Sequence, residues 1–286
     1  MPAGFLLLAV TLARASSARE GTARSADGVP IHYTVTGAGE PALVFVHGWA
    51  IDGRYWDAQV PVFARTHRVV TLDLAGHGRS GRGRKDWTVA AFGQDVRAVV
   101  DALGLKKVVL VGHSMSGNVI LEAARVLPGR VVGLIPVDTL LDVDERPKED
   151  ELAGFVAALR ADYRGTIRGF GQRYLFAAKG DPAFAEKVLG DIFTLPPETS
   201  IAILQGSWAY DPRPVLREIH VPMVAVNADK FPTRLDHARL YAPQFDALIV
   251  EGVGHYLMRE DPAAFDAQLA RAVAQVTAAA TPGEHP

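Results

Sequence analysis

Ser114 lies in a stretch of small residues where the chain could expose a nucleophile. The stretch GHSMSG (112–117) follows an apolar run that predicts a buried strand. A sharp turn from strand to helix needs small neighbours, and Gly112, Ser116 and Gly117 satisfy this need. Such a turn would direct Ser114 Oγ to the carboxyl end of the strand, where the following helix N-terminus stabilises an anion. Ser114 is therefore a candidate nucleophile, and a structural turn serine is the alternative.

A serine nucleophile needs a general base, and His255 is the best placed of the nine histidines. It follows a Gly-Val-Gly turn (252–254), after the last apolar strand and before the final helix. A surface loop histidine is the alternative. His113 is adjacent to Ser114 in sequence, so we expect the turn to direct the His113 side chain elsewhere.

The elements that must position these residues alternate along the chain. Short β-branched runs separated by helical patterns predict parallel strands covered on both faces. The predicted strands are Ile31–Thr36, Ala42–Val46, Arg68–Asp73, Lys107–Val111, Val131–Val137, Met223–Asn227 and Ala247–Glu251. Thr88–Leu103 predicts a helix capped by Thr88 with its charges on the face away from the core, and Asp261-Pro262 opens a last helix, Ala263–Ala280. The predicted fold class is α/β, with a doubly wound sheet.

Residues 142–216 interrupt this alternation. They contain amphipathic helical patterns, such as Glu149–Ala161 and Pro182–Leu189, several aromatic residues and no convincing strand. We interpret them as a helical insertion that covers the site and lines a pocket, between core segments 19–141 and 217–286. An unusually long crossover is the alternative.

Composition limits the function classes. The chain has 286 residues, of which 49% are hydrophobic, so it can bury a large core. Thirty basic and 32 acidic residues give a net charge of −2. No overall field attracts nucleic acid or anionic lipid, so the expected partner is a small-molecule substrate. The chain has no cysteine, which excludes disulfides, thiolate metal sites and thiol nucleophiles.

The N-terminus carries the only localisation signal. An apolar stretch (3–13) is too short to span a bilayer and is followed by small-residue cleavage options, which is typical of a secretory signal peptide over residues 1–18. We therefore expect a periplasmic or secreted protein without stable membrane insertion, and a cytoplasmic one if the stretch is a short buried helix or follows a misassigned start. A monomer or a homodimer is expected.

Four motifs in a fixed order resemble the α/β-hydrolase superfamily. They are FVHGW (45–49), DLAGHGRSG (73–81), VLVGHSMSG (109–117) and GVGHYLMREDP (252–262). The resemblance covers most of residues 28–278 and implies an α/β-hydrolase fold, a mostly parallel sheet with a helical cap. It implies that Ser114 is the nucleophile and His255 the base, whereas His47 and His77 resemble the family's structural histidines. Ser116 departs from the family pattern, which has glycine at that position.

The resemblance leaves two candidates for the triad acid. The family usually supplies it after the penultimate strand, where VPMVAVNADKFPT (221–233) offers Asp229, but the usual position lies about two residues further along. In a branch that includes some haloalkane dehalogenases, the acid ends the strand after the nucleophile, and Asp138 has that place. We favour Asp138 and retain Asp229 as the alternative.

The implied reaction is acyl transfer without a cofactor. Related enzymes that cleave halides or epoxides have a carboxylate nucleophile, whereas a serine favours attack on an ester, lactone, thioester or activated ketone. The N–H groups of Met115 and, by the resemblance, Trp49 would form the oxyanion hole. The expected protein is a carboxylesterase-like hydrolase that acts on small molecules. A carbon–carbon bond hydrolase with the same triad and a non-catalytic ligand-binding protein are the alternatives.

One further motif competes with this interpretation. Residues 76–81 spell G-x-G-x-x-G after a strand, as in dinucleotide-binding sites. The following residues open a helix poorly, so we expect Arg79, Arg82, Arg84 and Lys85 to lie in a solvated loop. No histidine and carboxylate pattern in the sequence has the spacing of metal ligands, so no metal is expected.

Overall fold

A computed structural model describes residues 18–280 of the chain. The predicted signal peptide (1–18) lies outside these residues except for Ala18. Within the described residues, none of the helices combines the length and the hydropathy that crossing a bilayer requires.

The described chain forms one eight-stranded sheet in the order β1-β2-β4-β3-β5-β6-β7-β8. The strands are β1 Arg19–Arg24, β2 Pro30–Thr36, β3 Ala42–Val46, β4 Val69–Leu72, β5 Val108–His113, β6 Val131–Val137, β7 Met223–Ala228 and β8 Phe245–Val250. The strands from β3 onward pair in parallel, and every residue of β3, β5 and β7 is buried. This burial on both faces explains why each of these strands begins with an apolar run in the sequence.

The predicted sheet is mostly parallel, and the structure places its antiparallel pairs at one edge. β1 pairs antiparallel with β2, and β2 pairs antiparallel with β4. β1 was not predicted, because its sequence REGTAR carries three charges and only Ala23 of it is buried. An edge strand that buries one side chain lacks the apolar alternation by which strands are recognised.

Helices connect the parallel strands and cover the sheet. They are α1 Val60–Phe63, α2 Val89–Ala102, α3 Met115–Val126, α4 Glu149–Ala161, α5 Tyr163–Phe170, α6 Pro182–Ile192, α7 Pro197–Trp208, α8 Arg213–Glu218, α9 Leu235–Ala238, α10 Leu257–Glu260 and α11 Pro262–Ala279. α3 packs against β5 and β6, and α11 packs against β6, β7 and β8. The result is the predicted doubly wound, mostly parallel α/β fold.

Two predicted helix starts have the expected caps. Thr88 Oγ1 accepts a hydrogen bond from the N–H of Ala91 at 3.2 Å. Asp261 Oδ1 accepts one from the N–H of Ala264 at 2.9 Å, with proline at the first helical position. Each side-chain oxygen pairs a backbone donor that the first helical turn leaves without an acceptor.

The chain between β6 and β7 contains helices α4 to α8 and a π-helical turn, Gly171–Leu175. We call residues 142–216 the insertion. Its helices contact one another, with α4 against α5 and α7. It returns to the sheet through α8, which packs on α3.

The interpretation of Arg84 as part of a solvated loop was wrong. Its guanidinium is fully buried, 2.6 Å from Asp95 Oδ1 and 2.8 Å from Asp27 Oδ2. The charges of α2 were expected to face away from the core, but Asp95 lies on its buried face. A buried carboxylate needs a paired cation, which Arg84 supplies.

The glycine-rich loop of residues 76–81 closes on itself through a hydrogen bond from the N–H of Gly76 to the carbonyl of Gly81, at 2.8 Å.

Candidate active site

Ser114 occupies the sharp turn between β5 and α3. Its backbone has φ 55° and ψ −120°, a left-handed conformation that is strained for a residue with a side chain. The Ser114 N–H donates to the carbonyl of Val137 at 2.9 Å, and the Ser114 carbonyl accepts from the N–H of Gly117 at 2.9 Å. These bonds hold the turn to the adjacent strand β6 and to the first turn of the helix.

The neighbours of Ser114 have almost no room for larger side chains. A Cβ atom on Gly112 would lie 2.2 Å from the backbone oxygen of Ser116, and one on Gly117 would lie 2.2 Å from Thr139 Cγ2. Ser116 departs from the family glycine, yet it fits because its hydroxyl turns away and donates to the carbonyl of His47. The serine thus adds a bond between the turn and the loop after β3.

His255 and Asp138 meet at the carboxyl edge of the sheet. His255 Nδ1 lies 2.6 Å from Asp138 Oδ2, and the two side chains are only 15% and 9% exposed. Asp138 Oδ1 accepts a second hydrogen bond, from the N–H of Ala228 at 2.9 Å. Because a carboxylate accepts, His255 Nδ1 carries the proton and Nε2 is left as the basic nitrogen.

Asp229 lies in a different environment. Its side chain is exposed, and Oδ1 accepts from the N–H of Gly252 at 2.9 Å, which closes the turn that precedes His255. Of the two candidate acids, the structure brings Asp138 to the imidazole and assigns Asp229 to a turn.

His113 points away from the Ser114 nucleophile position, toward His255. Its Nε2–H donates to the carbonyl of His255 at 2.8 Å, and the two rings are 4.6 Å apart. Burial lowers the pKa of His113 well below its usual value, so the ring is neutral. This contact was missed because nothing in the motif GHS indicates which backbone the histidine contacts.

The loop after β3 is held by two buried, neutral histidines. His47 Nε2 accepts from the N–H of Leu74 at 2.9 Å, and His77 Nε2 accepts from the N–H of Ala50 at 3.2 Å. Burial lowers the pKa of both rings, to about 3 for His77. A protonated ring could not accept these bonds, so the neutral form is required.

The two residues expected to supply the oxyanion donors line the same cavity as Ser114. Met115 is the first residue of α3, so its N–H has no acceptor within the helix. Trp49 lines the cavity, and its indole N–H donates to the carbonyl of Ser200 in α7, at 2.9 Å. That bond ties the loop after β3 to the insertion.

A cavity of about 830 Å³ opens over these groups. Ser114, Asp138 and His255 line it from the core side. The insertion contributes aromatic side chains, and two of them, Phe155 and Trp208, stack with ring centres 5.3 Å apart. The cavity therefore combines a polar edge with a largely aromatic wall.

Asn118 is a polar exception on the core side of this cavity. It lies one helical turn after Ser114 and lines the same space. In the part of the chain that the structure describes, its Oδ1 is buried and has no hydrogen-bond partner. A buried amide of this kind favours a ligand that can form a hydrogen bond to it.

The fold also groups Asp142, Asp144 and His237, which the sequence did not indicate as a cluster. His237 Nδ1 lies 2.8 Å from Asp142 Oδ1, and its Nε2 accepts from Arg234 at 2.9 Å. Tyr241 donates to Asp144 Oδ1 at 2.6 Å. Both nitrogens of the imidazole are thus engaged, so the cluster is a network of ion pairs and hydrogen bonds.

Comparisons with known proteins identify relatives of this chain. A relative from Pseudomonas putida, the dihydrolipoyllysine-residue acetyltransferase component of an acetoin cleaving system, is 30% identical over 80% of this chain. The match spans only 62% of that longer protein. The pimeloyl-[acyl-carrier protein] methyl ester esterase of Edwardsiella ictaluri is 30% identical over 82% of this chain and 93% of its own length.

The fold itself is shared with solved structures. An esterase from Exiguobacterium antarcticum superimposes with a TM-score of 0.79 at 20% identity, covering 89% of this chain and 98% of that chain. The sequence profile described as "Alpha/beta hydrolase family" matches residues 43–268. The chain belongs to the alpha/beta hydrolase family.

Proposed function

We propose that this protein is a serine hydrolase that cleaves a small-molecule carboxylic ester, lactone or related acyl substrate. The observation that carries the proposal is the 2.6 Å hydrogen bond between His255 and Asp138, beside a cavity that Ser114 also lines. This bond orients the imidazole and leaves Nε2 free to take a proton, which a serine nucleophile requires.

The proposed reaction has two steps. Nε2 of His255 takes the proton of Ser114 Oγ as the oxygen attacks the substrate carbonyl, and the oxyanion binds the N–H groups of Met115 and Trp49. His255 then gives the proton to the leaving alcohol, and an acyl-enzyme remains. Water, deprotonated by His255, attacks this ester and releases the acid and the free serine.

Asp138 keeps its hydrogen bond to Nδ1–H of His255 in both steps and stabilises the imidazolium form of the ring. It can do so because its second oxygen is already bound to the N–H of Ala228, which holds the carboxylate in place.

The insertion acts as a cap in this proposal, and its aromatic wall binds the apolar part of the substrate. A cavity of about 830 Å³ is within the range of small-molecule sites. Asn118 adds a selective contact, since its unpaired Oδ1 favours a substrate with a hydroxyl or N–H group close to the scissile bond. The relative named as a methyl ester esterase supports an ester substrate.

The test uses a chromogenic short-chain ester and a fluorophosphonate probe that modifies activated serines. We expect wild type to hydrolyse the ester and to bind about one equivalent of probe, and Ser114→Ala to do neither. Ser207→Ala is the matched control, since Ser207 also lines the cavity and the variant should be labelled like wild type. If the wild-type protein neither hydrolyses any ester nor reacts with the probe, the hydrolase proposal is rejected. The non-catalytic ligand-binding protein then remains as the alternative. If the probe still modifies Ser114→Ala, the assignment of Ser114 as the nucleophile is rejected.

A further inference from the structure

Three consecutive backbone N–H groups hold the loop that carries His255. The N–H of His255 donates to the carbonyl of Leu175 at 2.8 Å. The N–H of Gly254 donates to Glu260 Oε2 at 2.8 Å, and the N–H of Tyr256 donates to Glu260 Oε1 at 3.1 Å. A single carboxylate therefore binds the backbone on both sides of the histidine.

Glu260 ends the short helix α10 and is half-buried. In the described part of the chain, no ion pair within 4 Å joins it to a cation. Burial raises its pKa, and the two N–H donors of the loop act in the opposite direction. The carboxylate is thus kept in a partly desolvated place where its partners are the backbone groups flanking His255. A buried acceptor whose partners lie at one loop is expected to organise that loop.

We propose that Glu260 is a positioning residue: it fixes the backbone around His255, so that the imidazole keeps its hydrogen bond to Asp138, and its negative charge favours the imidazolium. The role rests on the proposed hydrolase function, because positioning matters only if His255 transfers a proton. Nothing in the sequence distinguishes this glutamate, since a charged residue at the end of a helix is ordinary.

Several charged and titratable groups share this environment. Asp138 and Glu260 are the carboxylates near His255, and their charges act on each other. The ring of His113, which is neutral, and that of Tyr256 lie 4.6 and 5.3 Å from the imidazole. The Lys230 ammonium, whose pKa burial lowers, acts on both carboxylates. Asp229 also binds this loop, at the N–H of Gly252, but among the carboxylates of the described chain Glu260 alone accepts from the N–H groups directly before and after His255.

The test compares Glu260→Gln with wild type in kcat, KM and their pH dependence. Glutamine has nearly the same size, but it loses the charge and turns one acceptor into an NH₂ group that faces an N–H. We expect kcat to fall by about 10-fold to 100-fold, as for a misplacement of about 1 Å, with little change in KM. We also expect the acidic limb of kcat/KM to move to lower pH, because the loss of a nearby negative charge disfavours the imidazolium form. Glu251→Gln is the control, since Glu251 is exposed near the same loop and undergoes the same chemical change.

Glu260→Asp separates position from charge. It retains the carboxylate but is too short to reach both N–H groups, so kcat should fall while the acidic limb stays at the wild-type pH. Wild-type kcat in Glu260→Gln, or a reduced kcat with an unmoved acidic limb, would overturn the proposal. If the glutamine variant does not fold, a wild-type kcat in Glu260→Asp would overturn it equally.

A readout without turnover keeps this test apart from that of the proposed function. NMR spectra of the histidine rings over a pH series, with His255 assigned through His255→Gln, should show a smaller fraction of imidazolium at His255 in Glu260→Gln than in wild type at the same acidic pH. An unchanged imidazolium fraction overturns the role of Glu260 whether or not the protein hydrolyses esters. A wild-type protein that is inactive and is not labelled by the probe would instead reject the proposed hydrolase function.

Discussion

If Asp138 is replaced by asparagine, the new amide group can take two orientations, and both are unfavourable. Asp138 accepts one hydrogen bond from His255 Nδ1 at 2.6 Å and another from the N–H of Ala228 at 2.9 Å. Asparagine has only one carbonyl oxygen for these two donors. If the oxygen stays with Ala228, the NH₂ group faces His255 and the imidazole must move its proton to Nε2. That tautomer cannot accept the proton of Ser114.

The size of the loss follows from this choice. An imidazole in the wrong tautomer lowers kcat by about 10⁴-fold, which is about 5 kcal/mol in the activation barrier. In the other arrangement the NH₂ group faces the N–H of Ala228, which leaves a buried donor without a partner and destabilises the fold by about 1 to 3 kcal/mol. The variant therefore loses activity, stability or both.

Asp229→Asn is the matched comparison for this assay. Its Oδ1 accepts from the N–H of Gly252 at an exposed turn, and the amide oxygen of asparagine can do the same. Ester hydrolysis should be measured for both variants at equal folded fraction, with urea unfolding as the check. We expect Asp229→Asn to remain within about twofold of wild type, since surface changes seldom alter a fold by more than about 0.5 kcal/mol. The assignment of the acid would be refuted if Asp229→Asn lost more activity than Asp138→Asn, or if Asp138→Asn retained more than a tenth of the wild-type activity and also unfolded at the wild-type urea midpoint.

Two other predictions concern acid stability and selectivity. Burial lowers the pKa of His77 from 6.5 to about 3, so between these values the unfolded chain binds a proton that the native protein does not. The free energy of unfolding should then fall as the pH falls through this window, by up to about 1.4 kcal/mol per pH unit from His77. Urea midpoints should depend less on pH in His77→Gln than in wild type; equal pH slopes would contradict this. Asn118→Leu removes the unpaired amide in the cavity, so kcat/KM for hydroxylated esters should fall by about 10-fold relative to plain esters, and an unchanged ratio would argue against the contact.

The central sheet could be predicted because its buried strands have apolar sequences. Leu43, Leu110 and Ala225 lie in strands that are buried throughout, and each belongs to an apolar run of four or five residues. β1 could not be recognised in this way, because its residues are mostly exposed and charged. Such a segment forms a strand here only because it pairs with the edge of the assembled sheet. The burial of Arg84 escaped prediction for a related reason: it depends on Asp95, a carboxylate on the core face of a helix.

The candidate site was predictable only as far as short motifs extend. The small residues around Ser114 and the glycines before His255 indicate their turns through local steric needs. The choice between Asp138 and Asp229 depends instead on contacts 117 and 23 positions apart in the chain, which no local pattern contains. The contact from Glu260 to the His255 loop spans only six and four residues, yet the same letters would fit an exposed helix end.

The bond between His255 and Leu175 has a consequence for engineering by domain exchange. Leu175 ends the π-helical turn of the insertion, and the next carbonyl, that of Phe176, accepts from Lys230 Nζ at 2.5 Å. Gly254 lies so close that a Cβ there would be 2.7 Å from the oxygen of Leu175. A chimera that joins the insertion of another protein to this sheet would keep His255 but lose the Leu175 carbonyl that accepts from its N–H. The transferable unit is therefore the core together with residues 171–177, and the breakpoints for recombination belong outside that segment.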